Sequence, residues 1–262
     1  MTAEISTSPM DPDRLEHAQQ HIENNIVAAK EGRKCVDGRY GPDQGTGFIA
    51  RPGADFGYVM VLLALNRKYS LGLTPADCVD RIYYIVTKDG TSFSMHTDHH
   101  ADPEMPEEHA HDHDHDKPMI GCAHIAKATD ASRAEEYSVI PDDIKQAVVH
   151  AKSKPINFVN LGREHQEQGV MVVHGTSRTV NPYDPERNTM YFIYNPDRDN
   201  RLMDEIVDQL EIPQINKDEF KQFSGQQLQA TLRNVALGKP IFDVDLTDGK
   251  PQVTFAGVVE EK

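Results

Sequence analysis

Cys35, Asp37 and Arg39 occupy alternate positions in Lys34-Cys35-Val36-Asp37-Gly38-Arg39, and in an extended chain alternate residues project to one side. Arg39 can hold the Asp37 carboxylate through paired hydrogen bonds and keep it ionised, leaving one oxygen lone pair to face whatever Cys35 binds. If Cys35 is a metal ligand, that acceptor falls where a metal-bound water would sit. Further donors occur in Ser94-Met95-His96-Thr97-Asp98-His99-His100 and in Ile120-Gly121-Cys122-Ala123-His124. Cys35, one histidine from 96–100 and Cys122 make three ligands with an open fourth position, the arrangement of catalytic zinc. His96, His99 and His100 are the candidates for that histidine. Cys78 is the weaker thiol, because Val79, Ile82 and Val86 around it suit a small buried hydrophobe.

Those residues need strands and turns to carry them. The pattern around 34–39 predicts a short strand running into a glycine-rich loop, and Ser92–Thr97 predicts another strand. Gly121-Cys122 reads as a turn. Around them, apolar residues at helical spacing predict an N-terminal amphipathic helix over 11–31 and a largely buried helix in FGYVMVLLALNRKY. A third helix follows in TPADCVDRIYYIVTKDG, with Thr74 as cap, Pro75 at its first position and Asp77 in its first turn. Asp55 is read as the cap of the second helix, with PGADFG bringing backbone amides near the site. A helix near 141–151 is expected.

In the second half, INFVNL, GVMVVHG and TMYFIYN read as strands, with helices near 198–210 and 217–237. IFDVDL, the turn TDGK and QVTFAGVV read as a closing hairpin. The expectation is one α/β domain over residues 1–262, with a mixed β-sheet flanked by helices. Residues 98–118, DHHADPEMPEEHAHDHDHDKP, contain almost nothing to bury and read as a disordered, solvated His/Asp-rich insertion. Its histidines suit either a weak metal-capture arm or a cluster that exports protons, beside the plain reading of a solvated loop.

Composition narrows the function classes. A net charge of −15 over 262 residues repels a phosphate backbone, so no nucleic-acid partner is expected. The longest apolar run, YVMVLLAL, is far short of a membrane span, and MTAEISTSPMDPDR lacks the pattern of a secretory signal. A cytoplasmic protein without a membrane partner is expected. Three cysteines argue against a disulfide framework and for free thiols or metal-bound thiolates. The glycine loop lacks both the P-loop and the dinucleotide spacing, which removes a phosphate cradle.

With the motifs set side by side, the chain resembles carbonic anhydrases. The β class uses a Cys-x-Asp-x-Arg strand but then expects His-x-x-Cys, and Met119 precedes Cys122 where Pro75 precedes Cys78. The ζ class, which uses cadmium or zinc, is the closer likeness: Cys35-Val36-Asp37-Gly38-Arg39, Pro52-Gly53-Ala54-Asp55, His96-Thr97-Asp98 and Gly121-Cys122-Ala123-His124 follow its pattern in order. Alanine stands at 54 and 123 where that pattern has glycine. The likeness covers roughly residues 30–130.

What the resemblance implies is one Zn2+ or Cd2+ per chain on Cys35, His96 and Cys122, with Asp37 and Arg39 as the catalytic pair. The implied reaction is reversible hydration of carbon dioxide to bicarbonate by metal-bound hydroxide. Two thiolates and an imidazole cancel the ion's charge, so its water would be a weaker acid than the pKa of about 7 found on a three-histidine zinc. The softness of two thiolates suits cadmium as well as zinc. Two other functions fit part of the pattern: a related hydrolase acting on carbon disulfide, and a metal-buffering protein without catalysis. The Asp37/Arg39 pair separates the enzymes from the buffer, since storage needs no oriented acceptor beside an open position.

Overall fold

A computed structural model describes residues 3–7, 10–28, 33–35, 49–51, 53–97, 141–160, 171–173, 176–180, 192–194, 196–246 and 248–261. In chain order the elements are β1 (Ala3–Ser6), α1 (Pro12–Asn25), β2 (Ile26–Ala28), β3 (Arg33–Cys35), β4 (Ile49–Arg51), α2 (Phe56–Tyr69), α3 (Pro75–Thr87) and β5 (Phe93–Thr97). They continue with α4 (Asp142–Lys152), β6 (Ile156–Asn160), β7 (Met171–Val173), β8 (Thr176–Val180), β9 (Phe192–Tyr194), α5 (Pro196–Leu210), α6 (Lys217–Ala236), β10 (Pro240–Asp245) and β11 (Gln252–Glu261). The chain is α/β, as its sequence predicts. Parallel and antiparallel pairings both occur, but among the described residues they lie in separate sheets rather than in one mixed sheet. No described helix is long and apolar enough to cross a membrane. The 98–118 insertion lies outside the described residues.

The fold divides into two compact units. The first comprises Met1–Arg51, Leu161–Asp199 and Gln229–Lys262. Its main sheet has the order β1-β11-β10-β8-β9, antiparallel throughout. The expected closing hairpin is β10 with β11, where Val244 faces Val253 and Phe242 meets the Phe255 ring edge-on at 5.9 Å. Gly257 is required there, because a Cβ at that point would lie 2.5 Å from the Ser6 carbonyl oxygen of β1. Helix α1 buries Ala18 and Ile22, and the Gln19 side-chain amide donates to the Val253 carbonyl at 3.1 Å.

Helix α1 ends sooner than its apolar spacing predicts. Asn24 and Asn25 are poor helix formers and Ile26 and Val27 are β-branched, so the chain turns to strand and pairs in parallel with Met171–Val173.

The second unit comprises Pro52–Asn160 and Asn200–Leu228. Helix α2 is its centre, with every residue from Phe56 to Leu65 buried. It packs with Val79, Ile82, Ile144, Ala147, Met203, Ile206 and Phe220 in a single core. Helix α3 begins as predicted: Asp77 N donates to the Thr74 hydroxyl at 3.1 Å, and the Asp77 carboxylate accepts from Thr74 N at 2.8 Å. This reciprocal box fixes where the helix starts. Strand β5 pairs in parallel with β6, His96 opposite Val159, and buries Phe93 and Met95 in the core.

Candidate metal centre

Cys35 closes β3, which pairs in parallel with β4 in the register Arg33 to Ile49, Lys34 to Ala50 and Cys35 to Arg51. His96 is the fourth residue of β5, one before its end. Cys35 belongs to the first unit and His96 to the second. Asp37, Arg39, Cys122 and the alternative ligands His99 and His100 lie outside the described residues, as does His124. Among the described residues, no three His, Cys, Asp or Glu side chains are gathered as a metal would need.

The turn that opens α2 is described in full from Gly53 onward. Gly53 and Ala54 take consecutive left-handed conformations, with φ of 76° and 57°. Glycine enters this region freely, whereas an alanine there costs about 1–2 kcal/mol through its Cβ. The position where the chain departs from the ζ-class pattern therefore still has the backbone conformation that favours glycine. Ala54 forms an isolated antiparallel bridge with Met95, the residue before His96.

Asp55 corrects a sequence expectation. It stands at the start of α2 but makes no side-chain capping bond. Its carboxylate instead accepts from the Ser94 backbone N–H at 2.8 Å, while its own N–H donates to the Ser94 carbonyl at 3.0 Å. The residue is fully buried. A helix cap and a strand clamp present the same residue type at the same place in the sequence, so spacing gave no signal for the second role.

Cys78 behaves as its neighbours predict. It is fully buried in the core on α3, and burial, followed by the negative charges of Asp77 and Asp143, pushes its thiol up to about 12. A thiol held protonated is neither a nucleophile nor a ligand at neutral pH.

The remaining donor set suits a divalent ion by its chemistry: two cysteine thiols and an imidazole match zinc or cadmium and are poor partners for magnesium or calcium. No family model, curated protein or solved structure matches the chain.

Proposed function

We propose that the chain is a metal-dependent carbonic anhydrase that interconverts carbon dioxide and bicarbonate, with one Zn2+ or Cd2+ held by Cys35, His96 and Cys122. The observation that carries this reading is the ordered set of motifs Cys35-Val36-Asp37-Gly38-Arg39, Pro52-Gly53-Ala54-Asp55, His96-Thr97-Asp98 and Gly121-Cys122-Ala123-His124. Within the second unit, Ala54 of the second motif stands opposite Met95, the residue before His96. The Gly53-Ala54 pair supports the same reading, since both residues hold the left-handed backbone that favours glycine, the residue type that the motif resemblance implies at both positions.

In this reading the two thiols bind as thiolates and His96 as the neutral imidazole. The bound ion supplies a water acidified enough to attack carbon dioxide. Arg39 holds Asp37 ionised and fixed in orientation. With an ion held there, Asp37 would accept a hydrogen bond from its water, orienting it toward the substrate and disfavouring ligands that carry no proton. The protein acts in the cytoplasm as one carbonic-anhydrase-like domain over residues 1–262.

Metal loading tests the ligand set before any assay of turnover. Purified chain dialysed against cadmium should retain one ion per chain and show the ultraviolet charge-transfer absorption of a thiolate-bound metal. C35S, H96A and C122S should each lose both. Full retention and unchanged absorption in C35S would contradict the reading.

A further inference from the structure

Strand β5 carries the proposed ligand His96, so whatever fixes its backbone also fixes the origin of the imidazole. On one edge β5 pairs with β6 along its full length. On the side of the Gly53–Asp55 turn, its contacts include the Ala54–Met95 bridge and the two hydrogen bonds between Asp55 and Ser94. The carboxylate bond is the unusual one. A fully buried Asp spends an oxygen on a strand N–H two residues before His96, where its place at the helix start would favour capping α2. A backbone N–H donating to a side-chain oxygen at 2.8 Å makes a well-formed, directional bond. Inside the core such a bond is also protected from competing water.

We propose that Asp55 is a positioning residue for His96: its carboxylate clamps β5 at Ser94 and so sets the geometry with which the histidine meets the metal. The inference rests on the carbonic anhydrase reading for the identity of the ligand. It goes beyond that reading by assigning a role to a residue that touches neither metal nor substrate. Groups that orient metal ligands from behind typically change metal affinity by about 10–100-fold when removed.

The test compares the full chain with D55A, D55N and A147G, the last being a buried site on α4 in the same unit. Two quantities are measured: backbone amide exchange over residues 93–97 in the metal-free protein, and zinc affinity by competition with a chromophoric chelator. D55A is expected to speed exchange at Ser94 and to weaken zinc binding about 10–100-fold. D55N, whose amide oxygen still accepts from the Ser94 N–H, is expected to recover most of both. A147G is expected to lower thermal stability with zinc affinity unchanged, which separates positioning from general loss of stability. If D55A does not fold, D55E takes its place, because its longer side chain displaces the acceptor, and the same weakening is expected. Wild-type zinc affinity in the Asp55 variant, or an equal loss in A147G, would overturn the proposal. Zinc binding by the wild type that is indifferent to both C35S and H96A would instead overturn the metal reading, and the His96 role with it.

Discussion

Ala54 stands opposite Met95 in an isolated antiparallel bridge while holding a φ of 57°, a conformation an L-residue adopts at a cost. Replacing it by glycine removes a penalty of about 1–2 kcal/mol and adds about 0.5–1 kcal/mol of unfolded-state entropy. With the buried methyl also lost, the terms nearly cancel, and A54G should stay within about 1 kcal/mol of the wild type in urea denaturation. The same change at Ala64, inside α2 and also buried, should cost about 1 kcal/mol or more. Equal losses at the two positions would contradict a left-handed turn at 54.

Cys78 should be chemically silent in the native protein. With its thiol pushed up to about 12 by burial, alkylation at about pH 8 should leave it unmodified until denaturant is added. C78A should lose about 1 kcal/mol of stability through the missing sulfur and retain its metal. Peptide mass spectrometry after a timed alkylation checks the first expectation. Native labelling at the rate of a free cysteine would contradict it.

Local signals account for what the sequence made readable. Thr74, Pro75 and Asp77 announce the start of α3 because a capping box needs only side chains three residues apart. The β10–β11 hairpin is legible for the same reason, from its turn residues and alternating strands. Ile26 misled, because its helical spacing from Ile22 says nothing of the distant partner Met171 that draws it into a strand. Asp55 misled in a similar way: the acceptor sits where a cap belongs, and its true partner, Ser94, is 39 residues away. At the candidate site, residue types and order were legible at Cys35 and His96. Their strand partners, Arg51 and Val159, were not, since parallel pairing leaves no short-range mark.

Glu219 makes the fold sensitive to acid. Burial alone would raise its carboxyl, but hydrogen bonds from Lys68 and Tyr69 outweigh burial and hold it below the ordinary 4.5. A carboxyl depressed on folding stabilises the native state above its unfolded value, and that contribution is lost as pH falls through the folded one. E219Q should be less stable than the wild type at neutral pH, and the gap should close as pH is lowered below 4.5. Thermal melts across that range check it. A gap that stays constant down to about pH 3 would contradict the assignment.

The most direct test of the central claim is stopped-flow hydration of carbon dioxide by the full chain loaded with one zinc or one cadmium ion. Hydration well above the buffer rate is expected with at least one of the two metals. D37A should lower it by about 100-fold or more, the scale on which loss of one preorganised hydrogen-bonding group acts in active sites, with metal content unchanged. A fully loaded protein that hydrates carbon dioxide no faster than buffer with either metal would contradict the carbonic anhydrase reading.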